Sequence, residues 1–288
     1  MLIPDHHKIC IPELPRAITK GQPVKNVIDE NAVGFLARNI WLADKSFPAE
    51  NFHQIATKNL ESKSLMARAK HIANTLFETL HSNYSSAIEI LIESMPPARG
   101  DSEEFGLSEL FFLPYSFFIS EYGLLSKYND GVDPFDISML AQRQLTMRFS
   151  AEFSIRPFIV ADQERTLNVI HSWVNDPSNH IRRLCSEGIR PRLPWGIRLK
   201  SFVENPLPVI SIIEQLKDDS SLYVRRSVAN NLGDIAKDHP SLVFDFCDQW
   251  LASAHNNGDL QWVIRHAVRY PAKQGDKRAL HLRNIAKK

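Results

Sequence analysis

The sequence predicts an all-α fold assembled from stacked helical repeats, and three observations carry that reading. Apolar residues recur at helical spacing along most of the 288 residues, strand-like alternation is hard to find, and one block of the second half occurs twice. No Asn-Gly hairpin flanked by alternating residues appears. With 43% hydrophobic residues and 34 Lys plus Arg against 33 Asp plus Glu, the composition is that of an ordinary globular chain, which excludes disorder and collagen.

The elements follow in chain order. Residues 1–22, with Pro4, Pro12 and Pro15, fit no repeat and are expected as a loosely ordered lead-in to one domain spanning 23–288. Their acids and prolines interrupt the apolar core that a signal peptide needs. From Asn51 to His81, Ile55, Leu60, Leu65, Ile72, Leu76 and Leu80 recur at steps of four, five and seven residues, typical of helices. Leu110 to Ser120 is the most apolar run; closed by Glu109 and Glu121, it is far short of the ~20 residues of a membrane span and reads as buried helix. Cys10, Cys185 and Cys247 are far apart with no CxxC, so they read as small buried hydrophobes in a reducing, cytoplasmic compartment.

The block at 169–189 lies within the segment 210–232 at an offset of 43 residues, setting Asp176 over Asp219, Ile181 over Val224 and Arg182-Arg183 over Arg225-Arg226. A fainter copy follows at 262–266, and 65–76 has the look of an earlier one. A period of about 40 to 47 residues holding two helices joined by an Asp/Pro/Ser turn is the signature of a HEAT-like array. Such units stack into a curved solenoid with a long concave surface.

Three polar stripes are expected on that surface. A helix ending at Pro157 would carry Arg148, Glu152 and Arg156; the next carries Arg183, Glu187 and Arg190; the third carries Arg226, Asn230 and Asp234. Stacked side by side they make a basic face studded with carboxylates. The plainer reading is a set of solvated pairs, each contributing ~0.2 to 0.5 kcal/mol. Arg190, Arg192, Arg198 and Lys200 surround Trp195 with two prolines and no acid, which suits phosphate and sugar contacts. Trp195 is alternatively a packing residue between repeats. Local charge sharpens the picture: 151–200 holds eight basic and five acidic residues, and 251–288 eight and two. A polyanion therefore has a defined face to meet, not a generally attractive molecule. Phosphate-loop, dinucleotide and zinc motifs are missing, which disfavours nucleotide hydrolysis and metal chemistry.

The strings FSAEFSIRPF (149–158), HIRRLCSEGIRPRLPW (180–195) and LYVRRSVANNLGDIAKDHP (222–240) closely resemble the AlkC branch of the AlkC/AlkD DNA alkylation repair proteins. The likeness runs from about Val24 to Tyr270. It implies a HEAT-like-repeat DNA glycosylase that hydrolyses the N-glycosidic bond of cationic methylated bases such as 3-methyladenine, 3-methylcytosine and 1-methyladenine, in base excision repair. The implied partner is double-stranded DNA containing alkylated bases, met by a monomer that uses no cofactor, metal or membrane. Carried over by position, the catalytic acids fall on Glu152 and Asp234 and the aromatic on Trp195. Arg148, Arg156, Arg183, Glu187, Arg190, Arg192, Arg226 and Asn230 make up the implied DNA-binding set. A non-catalytic protein binding damaged or distorted DNA is the alternative, and a protein-interaction scaffold the third reading.

The implied chemistry suits these residues. A base made cationic by alkylation leaves as a neutral molecule, so no general acid is required, while the sugar turns cationic. One carboxylate ~4 Å away contributes ~4 kcal/mol at an effective dielectric near 20. Two departures from the family pattern stand out. The immunoglobulin-like domain of some relatives has no room in this length, and the family's NNLND reads NNLGD, with Gly233 expected to loosen the turn that carries Asp234. No lysine precedes Lys200 in the site strings, so no Schiff-base lyase step is expected.

Overall fold

The structure is a computed structural model describing residues 7–13, 17, 20–80, 83–98, 100, 106–253 and 257–287. Residues 1–6, 14–16, 18 and 19 of the lead-in lie outside the described residues. Among those described there is no strand, and no helix is long and apolar enough to cross a membrane. Two compact units divide the chain after Phe158.

The first unit holds α1 (Glu30–Ala43), α2 (Ala49–Thr57), α3 (Leu65–Thr79), α4 (Tyr84–Glu93), α5 (Leu113–Tyr122) and α6 (Phe135–Thr146). Asp29 caps α1 by accepting the Ala32 N–H at 2.8 Å, and Asn83 caps α4 through the Ser86 N–H at 3.1 Å. Asn39 of α1 accepts the Cys10 N–H at 3.3 Å and donates to its carbonyl at 2.8 Å, so this part of the lead-in is tied down. The apolar run after Glu109 is buried, but in two pieces: a 3-10 turn (Leu107–Phe112), then α5. Pro114 falls in the first turn of α5, where a missing N–H costs nothing. Phe77 of α3 stacks on Tyr122 of α5 at 3.9 Å. The buried hydroxyls of Tyr84 and Tyr115 are satisfied by Ser138 and Ser94, at 2.9 and 2.7 Å.

The expected helix ending at Pro157 does not exist. α6 stops at Thr146, residues 147–154 form turns, and α7 (Ile155–Ala161) starts just before Pro157. Proline lacks the N–H that Phe153 would need as acceptor partner, and its ring crowds that carbonyl, so a helix can begin at 155 but cannot run through. The Thr146 hydroxyl, accepting the Ala151 N–H at 3.2 Å, helps end α6. Arg148 and Glu152 therefore sit on turns and share no helix face with Arg156.

The second unit holds α8 (Gln163–Trp173), α9 (Asn179–Glu187), α10 (Lys200–Glu204), α11 (Leu207–Ile213), α12 (Leu222–Ile235), α13 (Pro240–Ser253), α14 (Gly258–Ala267), α15 (Arg269–Lys273) and α16 (Lys277–Ile285). α12 packs between α9 and α14, and its apolar face of Val224, Val228, Leu232 and Ile235 is buried. The repeat is structural. Asp176 accepts the Ser178 N–H at 2.9 Å before α9, and Asp219 accepts the Ser221 N–H at 2.8 Å before α12. Arg182 donates to the Asp176 and Pro177 carbonyls at 2.9 Å and pairs with Asp219 through two bonds, 2.6 and 3.1 Å. Arg225 repeats this one turn of the array later, on the Asp219 and Ser220 carbonyls and Asp259. The first arginine of each pair thus stitches one repeat to the next.

Candidate nucleic-acid interface

The second arginines turn to another surface of the same helices. α9 ends at Glu187, whose carboxylate takes a 2.6 Å bond from the Arg190 guanidinium, a 2.6 Å bond from the Ser227 hydroxyl of α12, and a 3.6 Å ion pair from Arg183 one turn earlier. Arg190 also reaches α12, donating to Asp234 at 2.8 Å, while Lys237 donates to the other oxygen of Asp234 at 2.9 Å. Glu187, Arg190 and Asp234 are each under a tenth exposed. Burial pushes the Glu187 carboxyl up, but Arg183, Arg190 and the Ser227 hydroxyl outweigh it and hold the group below the usual carboxylate range. Burial likewise disfavours the Arg190 cation, and Glu187 with Asp234 more than restores it.

Gly233 does not loosen this arrangement. α12 runs unbroken through it, and Asp234 is anchored by two cations. Arg226 is exposed on α12, and Asn230 follows one turn on, its side-chain oxygen 3.1 Å from both Arg269 Nη2 and His266 Nε2. His266 is pushed down to about 4 by burial and by Arg269 and Arg226.

Trp195 does not seal repeats. It is 73% exposed at the tip of a loop closed by the Leu199 N–H on the Pro191 carbonyl at 3.2 Å, with Leu193 and Leu199 buried beneath. Its φ of 64° lies in the left-handed region, which costs a bulky residue ~1 to 2 kcal/mol. Arg192, in the same loop, forms a two-pronged pair with Asp238 at 2.8 and 2.6 Å, which raises its already high pKa.

In the first unit, the Glu152 carboxylate accepts from the Ser150 hydroxyl at 2.9 Å, and that hydroxyl accepts the Glu152 N–H at 3.2 Å. Arg148 donates to the Pro96 carbonyl at 2.6 Å and to Gln144 at 2.8 and 3.0 Å. Arg156 is fully buried, which makes it a packing arginine, not one displayed on a surface. Among the described residues no group of three or more His, Cys, Asp or Glu is arranged to hold a metal.

Sequence reasoning missed Ser227, Lys237 and His266 as members of the strip. Ser227 had a signal: it stands over the buried Leu184 of the preceding repeat, a hydroxyl where the repeat has a hydrocarbon. Lys237 lies inside the third string, so the strip does contain an amine.

The array of paired helices, with a polar strip crossing successive repeats, defines a HEAT-like helical-repeat protein. No protein-family model matches the chain. It is 36% identical over 262 residues to the uncharacterized protein YhaZ of Bacillus subtilis (strain 168), covering 90% of this chain and 67% of that one. The solved structure of the Pseudomonas fluorescens alkylpurine DNA glycosylase AlkC, bound to DNA containing an abasic site analog, matches with a TM-score of 0.79 and 35% identity over 91% of this chain and 68% of its own. AlkD2 from Streptococcus mutans matches at 20% identity and a TM-score of 0.41, over 83% and 96%. The chain belongs to the AlkC/AlkD family of DNA alkylation repair proteins, in its AlkC branch.

Proposed function

We propose that this chain is a DNA glycosylase that hydrolyses the N-glycosidic bond of cationic N-alkylated bases, with 3-methyladenine, 3-methylcytosine and 1-methyladenine as its substrates. The observation that carries the reading is the strip in which Glu187 and Asp234 share Arg190. The carboxylates are held in place before substrate arrives, so little reorganisation accompanies the charge that develops on the sugar. Arg183, Arg190 and Lys237 outnumber them, which favours a phosphodiester strand over repelling it. Asp234 is the group we assign to stabilising the cationic deoxyribose and orienting the attacking water. Because Arg190 and Lys237 offset its charge, its contribution falls below the ~4 kcal/mol of an isolated carboxylate. Glu152 is assigned the same task through the family resemblance, and Trp195 stacks on the sugar or the cationic base. Arg148, Arg156, Arg183, Glu187, Arg190, Arg192, Arg226 and Asn230 remain the proposed DNA-binding set; of these, Arg226 is the exposed one on α12, and Arg156 contributes through packing.

The test incubates the protein with duplex DNA containing 3-methyladenine, 3-methylcytosine or 7-methylguanine and follows free base by chromatography. Wild-type protein releases base, and Asp234→Asn and Glu152→Gln each lose release by about a hundredfold, ~3 kcal/mol of transition-state stabilisation, while still binding DNA. Wild-type release by both variants removes the mechanism. The reaction is single-step hydrolysis, so borohydride traps no adduct between Lys237 and an abasic strand. A second reading has its own support, since Asp234 is only 3% exposed and already engaged by two cations. On that reading the protein binds distorted DNA with a steep salt dependence and releases no base from any substrate.

A further inference from the structure

We propose that Arg269 and His266 form a positioning pair that locks the Asn230 carboxamide with its two N–H donors presented to a phosphodiester oxygen, making Asn230 an uncharged anion hook on the α12 strip. This rests on the DNA-binding reading above and adds two residues, from α14 and α15, that lie beyond the carboxylate strip.

Chemistry settles which way the amide faces. A guanidinium has donors and no acceptor, so the Asn230 atom 3.1 Å from Arg269 Nη2 must be the oxygen. The same oxygen lies 3.1 Å from His266 Nε2 and can only accept, so His266 is the Nε2–H tautomer. Its ring stays neutral well below neutral pH, because burial and the Arg269 and Arg226 cations oppose protonation. Trp262, one turn earlier on α14, stacks on that ring at 5.0 Å and 16° and holds its plane. Two donors from two helices on one oxygen leave the amide no second orientation. The Asn230 NH2 lies on the opposite edge of the planar group and donates to no atom among the described residues.

The repeat explains why an amide is useful here. Asn230 stands over Glu187, and His266 closes the Arg-Arg series of 182/183 and 225/226 as Arg265-His266. Between exposed Arg226 and buried Asp234, a third carboxylate would repel a phosphate and a third cation would compete with Lys237 for Asp234. An oriented amide donates to the anion without disturbing either neighbour.

The experiment measures affinity for an unmodified DNA duplex, which does not depend on base release. Asn230→Ala and Asn230→Asp should each weaken binding by about tenfold or more, the loss of a hydrogen bond to a charged group. Asn230→Asp keeps the acceptor for Arg269 and His266 and so keeps the fold, checked by an unchanged melting temperature. His266→Ala and Arg269→Gln should weaken binding by about three- to tenfold in the wild-type background and by nothing further in the Asn230→Ala background. The Asn230→Ala salt slope should stay that of wild type, since no charge is removed. Additive losses in the double variants would show Arg269 gripping phosphate by itself and overturn the proposal, as would wild-type affinity in both Asn230 variants. Failure of wild-type protein to bind DNA would sink the underlying reading along with it, whereas DNA binding that ignores Asn230 sinks this inference alone.

Discussion

The two faces of α9 and α12 use the same chemistry to different ends. On the loop side, Arg182 with Asp219 and Arg225 with Asp259 recur from repeat to repeat, and each also ties down loop carbonyls. On the strip side, Glu187, Arg190 and Asp234 form pairs that occur once: at the offset of 43 residues, Glu187 stands over Asn230, Arg190 over Gly233 and Pro191 over Asp234. A stacking contact has to be made at every junction, so its residues repeat. A site is made once, so its residues break the repeat. Departure from periodicity, not periodicity itself, coincides in this solenoid with the residues proposed as its site.

Removing the shared cation should break the comparison most sharply. Arg190→Ala leaves Glu187 and Asp234 buried with weakened partners, and a buried pair that loses one member costs about 3 to 5 kcal/mol. Urea unfolding should show that loss, and a cost under 1 kcal/mol would mean the strip is far wetter than its burial indicates. On the loop side, Arg182→Ala gives up a two-pronged ion pair and two carbonyl bonds, at about 2 to 3 kcal/mol, with the DNA affinity of the folded protein left near wild type. If Arg182→Ala instead weakened DNA binding as much as Arg226→Ala does, the division of labour within each arginine pair would be wrong.

A smaller effect comes from pH. Glu187 is held below its ordinary value in the folded protein, so its contribution is complete above the unfolded value of about 4.3 and is lost as pH falls through the lower folded value. Thermal unfolding followed from pH 7 down to pH 3 should fall steeply in that acid window. Glu187→Gln should start lower at pH 7 and decline less across it. Parallel curves would show that Glu187 does not gain from its cations.

How much was legible beforehand follows the same division. The repeated aspartates, the paired arginines and the apolar face of α12 were readable because periodicity is a local property of the chain. The bond between Arg190 and Asp234 spans 44 positions and depends on how α9 meets α12, which no spacing rule encodes. Family likeness placed both residues at the site but did not say that they hold each other. The turns at 147–154 were misread as helix because Arg148, Glu152 and Arg156 keep an i, i+4 spacing; Pro157 was the contrary signal, and its missing N–H prevailed. Trp195 was ambiguous for a related reason, since composition shows an aromatic among cations but not a left-handed φ that turns it outward.

The gentlest change tests the weakest position on the strip. Gly233 stands over Arg190 in the repeat yet carries no side chain, and it was expected to loosen Asp234. Its φ is not in the left-handed region, and a Cβ built there would approach the Ala267 carbonyl oxygen at 3.4 Å, an ordinary contact. Alanine therefore fits the helix without displacing α14. Gly233→Ala should raise stability by up to about 1 kcal/mol, mostly by restricting the unfolded chain. If Asp234 is already held by Arg190 and Lys237, base release by the stabilised variant should match wild type. A gain in stability accompanied by a loss of release would instead mean that the glycine is kept for motion of α12 during the reaction, and that the carboxylate is less firmly placed than its two ion pairs indicate.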